Sequence, residues 1–88
     1  MVVQLKDGAS VTARSCDVSQ GGMFLESDAQ LAFGTEVTLV CSLPRLPDAR
    51  LPSVVRWTKP GGFGVQFGLL GARETHALGL LVRSANTG

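Results

Sequence analysis

The stretch Cys16-Asp17-Val18-Ser19-Gln20-Gly21-Gly22-Met23-Phe24-Leu25 sets an acid, a hydroxyl and two adjacent glycines between apolar runs. A plain hairpin needs only Asn-Gly or Asp-Gly at its turn. Asp and Ser side chains bond nearby backbone N–H groups in turns, and Gly supplies positive φ, so all of them have a purely structural use. They also have a chemical use. A carboxylate accepts amino N–H groups from a base edge, a hydroxyl donates and accepts, and a glycine lets backbone approach a flat ligand.

Strand patterns surround this stretch. Val2 to Lys6 is short and apolar-rich, and Asp7-Gly8 after it is a hairpin signal. In "SVTARSC", Val11 and Ala13 alternate with Thr12 and Arg14, and Cys16 falls on the Thr12 and Arg14 side. "EVTLVCSL" places Val37, Leu39, Cys41 and Leu43 on one face. "PRLPDAR", with Pro44 and Pro47, reads as a loop. "LPSVVRWT" reads as a strand in which Pro52 marks an edge or a bulge. "KPGG" is a turn, and "FGVQF" is the last strand, with Phe63, Val65 and Phe67 pointing one way.

The period then changes. Ala77, Leu78, Leu81, Val82 and Ala85 recur at helical spacing. Gly79 weakens that helix by roughly 1 kcal/mol relative to Ala, and the tail "SANTG" is expected to fray. The expected elements are strands over 2–6, 11–17, 22–27, 36–43, 50–58 and 63–68, then a helix over 72–85. Six short strands with regular turns predict an all-β, antiparallel, closed or nearly closed barrel with the helix as its lid.

Composition bounds the rest. The 88 residues fit one small domain spanning 1–88. Eight Lys and Arg against seven Asp and Glu give a net charge of +1, which argues against a phosphate-tracking surface for DNA or RNA. Four Phe, one Trp and no Tyr are too few for a platform that stacks a long single strand. No apolar run approaches the ~18 residues of a membrane span and no leader opens the chain, so a cytoplasmic domain with free thiols at Cys16 and Cys41 is expected.

Other constellations are weak. Cys16, Asp17 and His76 are triad residue types, but nothing in the sequence brings His76 to the thiol. Cys16, Cys41 and His76 lack metal-ligand spacing. "KPGGFG" lacks phosphate-loop spacing and opens no helix. Trp57 alternates with Val55 and reads as core or barrel-rim packing, while Arg50 and Arg56 read as solvent-exposed. Arg14, three residues before Asp17, is a candidate helper of the motif. No catalytic residues, metal or cofactor follow from the sequence.

The Asp17-Val18-Ser19-Gln20-Gly21-Gly22 segment, followed by "MFLES", resembles the D/N-x-S-x-x-G signature of PilZ domains. "LAFGTEVTLVCSLP", "LPSVVRW" and "GGFGVQF" are similar to the family's later strands, in order. The resemblance implies a six-stranded barrel with a C-terminal helix, acting as a non-catalytic receptor for the bacterial second messenger cyclic di-GMP. Asp17, Ser19 and Gly22 would then contact a guanine. The family's binders also carry an upstream R-x-x-x-R, whose arginines clamp phosphates and stack on guanine. No such motif stands before Asp17 in this chain, where the only other cation besides Arg14 is Lys6. Weak binding is therefore expected, because charge-assisted contacts are roughly twice as strong as neutral ones. The alternative is a degenerate domain that binds no nucleotide and serves as a protein-interaction adaptor, as monomer or homodimer.

Overall fold

A computed structural model describes residues 1–19 and 21–86. The strands are β1 (Val2–Leu5), β2 (Ser10–Thr12), β3 (Arg14–Val18), β4 (Gly22–Glu26), β5 (Glu36–Leu43), β6 (Leu46–Lys59) and β7 (Gly62–Phe67). The helix α1 spans Ala72–Asn86. Of the tail expected to fray, Thr87 and Gly88 lie outside the described residues.

The strands form one curled antiparallel sheet in the order β2-β1-β5-β6-β7-β4-β3. The two edge strands are consecutive in the chain, with only Ala13 between them. The strand expected over 11–17 is thus broken at Ala13, which raises the count from six to seven. Ala13 is buried, and its N–H donates to the Met1 carbonyl at 3.0 Å. One half of this bent segment pairs with β1 and the other with β4, so the chain itself joins the sheet's two edges. The Ser27 hydroxyl donates to the Thr12 carbonyl at 2.9 Å across the same join.

Two sequence expectations about proline need correction. "PRLPDAR" is not a loop: Pro44 and Arg45 alone make the turn, with Arg45 at φ 64°, and β6 starts at Leu46. The register shifts opposite Cys41 to Leu43, so Pro47 falls where the ladder is irregular. Pro52 lies inside β6, between β5 and β7, and not on an edge. It is tolerated because the N–H and C=O of a residue in an antiparallel strand point the same way. Its carbonyl accepts from Gly68 N–H at 2.7 Å, just past the end of β7, so the missing donor also faces that end.

The core lies inside the curl. Val3, Leu25, Leu39, Leu51, Val55, Phe63 and Val65 are fully buried there. Helix α1 packs on β5 and β6 through the same core, burying Ala77 and Leu78, with Leu81 half-buried beside them. The Ala77 and Leu78 face of the helix is therefore covered by this chain's own sheet.

Candidate functional site

The opening motif is mostly strand. Cys16 to Val18 belong to β3 and Gly22 to Leu25 to β4, and the hairpin between them closes at Ser19 and Gly22. The Ser19 N–H donates to the Gly22 carbonyl at 2.9 Å. The Ser19 hydroxyl lies 3.3 Å from both the carbonyl and the N–H of Gly22. Gly22 is not in a left-handed conformation. A Cβ there would run into the Val65 carbonyl of the neighbouring strand, so glycine is required by the approach of β4 to β7. The Asp17 side chain is exposed and makes no hydrogen bond among the described residues.

A β-bulge decides where Asp17 points. Arg14 pairs with Glu26 and Ser15 with Leu25, but Asp17 pairs with Phe24, leaving Cys16 as the extra residue. Without it Asp17 would share the face of Ser15, whose cross-strand partner Leu25 is buried. A second bulge does the same on β6. Val55 pairs with Val65 and Trp57 with Gly64, so Arg56 is extra and Trp57 is turned outward. Trp57 is consequently 51% exposed and not in the core, correcting the alternation seen in the sequence. The two bulges bring both side chains to one cross-strand row on the outer face: Asp17, Phe24, Gly64, Trp57.

Glycines flatten this face. A Cβ on Gly64 would coincide with the Trp57 indole, so the ring lies down on β7. The end of the Phe24 ring lies over Gly62 in the same way. Lys59 Nζ stands 4.4 Å from the Phe24 ring centroid, a cation–π contact that occupies the ring. Over this floor runs a cleft of about 400 Å³ lined by Asp17, Ser19, Gly22, Phe24, Arg56 and Trp57, among others. Ligand sites commonly measure about 300–1,000 Å³. Asp17, Phe24 and Trp57 also line a second depression, with Cys16, Glu26 and Lys59.

The remaining candidates fall elsewhere. Arg14 donates to Glu26 at 3.1 Å and is not among the residues lining the 400 Å³ cleft. Arg56, set aside in the sequence as solvent-exposed, does line it, with Nε donating to Gln66 Oε1 at 2.9 Å. Its signal in the sequence was faint: alternating glycines at Gly62 and Gly64 mark a strand that something lies across. His76 is exposed on α1 and lines neither depression that contains Asp17. The Glu26 carboxylate, hydrogen-bonded to the Cys16 thiol, pushes that thiol's pKa up, so Cys16 is a poor nucleophile.

The PilZ domain family model matches residues 1–84. This chain belongs to the PilZ domain family. PilZ domains are in general non-catalytic domains that bind cyclic di-GMP in signalling. The structure titled "Crystal structure of PilZ domain of CeSA from cellulose synthesizing bacterium" is similar, with a TM-score of 0.74. The similarity covers 97% of this chain and 89% of that one at 22% identity, a likeness of fold. A comparison with curated proteins by sequence gives no match. No helix among the described residues of this PilZ domain is long and apolar enough to cross a membrane.

Proposed function

We propose that this PilZ domain binds cyclic di-GMP in the cleft beside the Ser19–Gly22 turn, with Asp17 as the principal polar contact. The observation that carries this is the Asp17 carboxylate. It is turned outward by the Cys16 bulge, lines the cleft and has no partner among the described residues. Such a carboxylate accepts the N–H groups of a guanine edge without first breaking an internal bond. Ser19 and Gly22 serve chiefly by holding the hairpin that carries Asp17.

One observation favours the adaptor reading. The Ser19 hydroxyl is already engaged with Gly22, so part of the signature is satisfied within the fold. Calorimetric titration with cyclic di-GMP separates the two. The nucleotide reading expects saturable heat that Asp17→Ala weakens at least tenfold, since hydrogen bonds to charged groups contribute about 1.5–3 kcal/mol. No heat from the unaltered chain would leave the adaptor.

A further inference from the structure

Away from the cleft, the linker between β7 and α1 carries a side chain that the fold does not use. Leu69 is 98% exposed, the most exposed large apolar residue among those described. Single apolar residues on a surface are ordinary, but this one is held out at a fixed place. The Gly68 N–H donates to the Pro52 carbonyl at 2.7 Å, and the Thr75 N–H donates to the Gly71 carbonyl at 3.0 Å, so the linker is tied at both ends. Between these ties Leu70 packs against the core, and its neighbour Leu69 is left outside. A side chain on a fixed backbone has less freedom to lose on binding.

Beside it the outer face of the sheet is hollowed. Gln4, Thr38 and Pro52 form one cross-strand row over β1, β5 and β6, and Glu36 pairs with Val54 in the next. A depression of about 360 Å³ lies here, lined by Thr38, Pro52, Val54 and Gly68 together with the Lys6–Glu36 ion pair. Leu69 follows Gly68 directly in the chain, yet it does not line the depression. Nothing in the hollow asks for a polar ligand. Lys6 and Glu36 are bonded to each other at 2.6 Å, and no buried side-chain polar atom among the described residues lacks a partner.

An interface about a two-fold axis uses the same patch on both copies, so that patch must carry both a knob and the hole that receives it. Here they are chain neighbours. Lys6 and Glu36 also give the hollow one charge of each sign, so the patch meets its own copy without a like-charge excess. We propose that this patch is a self-association surface, on which Leu69 of each of two copies seats in the other's hollow between Thr38, Pro52 and Val54. The hollow shares no lining residue with the 400 Å³ cleft, so the proposal stands apart from what that cleft binds.

Sedimentation equilibrium tests this over concentrations from about 10 µM to 1 mM, because a patch this small belongs with weak, transient interfaces. The unaltered chain is expected to pass from monomer to dimer within that range. Leu69→Asp is expected to raise the dissociation constant at least about a hundredfold, since two-fold symmetry counts each lost apolar contact twice. At the dilute end its melting temperature should match the unaltered chain, because Leu69 holds nothing within one copy. Amide NMR shifts on dilution should cluster at Lys6, Thr38, Val54 and Leu69. A chain that stays monomeric to the top of the range overturns the proposal. So does a dimer that Leu69→Asp leaves intact, or a set of dilution shifts on another face. Growth beyond a dimer overturns it too, because a knob and hole that do not close about a two-fold axis build open chains. The dilution shifts come from the unaltered chain, so they decide even where the variant folds poorly.

Discussion

Cys16 shows how one residue can set a site without belonging to its chemistry. As the extra residue of the β3 bulge it turns Asp17 out to the cleft, while its own thiol rests against Glu26. The hydrogen bond to Glu26 is the main cause of the raised thiol pKa, with desolvation and the charges of Glu26 and Asp17 adding to it. In return, the thiol and then Arg14 hold the Glu26 carboxyl below its ordinary value. The sign of the linkage follows. The folded state favours the protonated thiol, so this contribution to stability is present below the thiol's ordinary pKa and is lost as pH rises through the raised one. In a Cys41→Ala background, iodoacetamide should modify Cys16 with a pH–rate profile displaced to higher pH than in the urea-unfolded chain. Glu26→Gln should move that profile back down and speed modification at pH 8. An unchanged profile would mean that the Glu26 carboxylate does not govern the thiol.

At the scale of the element, the pairing of β4 with β7 is what makes the cleft floor flat. Three glycines contribute, and they are not equivalent. The atoms nearest a Cβ at Gly64 belong to the movable Trp57 ring, whereas at Gly22 the nearest is the backbone carbonyl of Val65. Gly22→Ala must therefore push two paired strands apart and should cost about 1–3 kcal/mol, the usual range for forced overpacking. A chemical denaturation midpoint measures this. Stability equal to the unaltered chain would show that β4 yields at no cost. The same result bears on the motif itself, because losing the strand register is enough to cost a Gly22 variant its ligand. The bulges are the other element-scale device. Each shifts a strand's parity by one residue, and side-chain direction in a strand has a period of two.

Over the whole molecule, the helix and the curled sheet share one core. Leu78 of α1 is buried in the same cluster as Leu39, Leu51 and Val55. Leu78→Ala should then cost about 2–5 kcal/mol, a large part of the roughly 5–15 kcal/mol that holds a domain folded. Because the core is shared, the loss should appear as a downward shift of a single unfolding transition, seen alike by circular dichroism and by Trp57 emission. Separate melting of the helix ahead of the sheet would contradict a shared core. The join at Ala13 belongs to this scale too, since it ties the two edges of the sheet through one bent stretch of chain.

Most of each strand segment, the Asp7-Gly8 and "KPGG" turns, the helix and the D-x-S-x-x-G skeleton were legible in the sequence, because alternation, turn chemistry and helical spacing are local properties. Asp17 was legible as a candidate for the same reason. What the sequence did not reveal was the partner wall of the cleft. Trp57 alternates with Val55 and so reads as core or barrel-rim packing, and Arg56 beside it reads as an ordinary surface charge. Neither bulge leaves a local mark, because an extra residue is defined only against the strand it fails to pair with. The break at Ala13 and the toleration of Pro47 and Pro52 depend likewise on which neighbour each backbone group faces. Local chemistry determined that this chain would make a curled sheet with an acid at a hairpin. Only the tertiary pairing decided that Asp17 and Trp57 would meet on one face, because side-chain direction depends on register, and register is a relation between strands far apart in the chain.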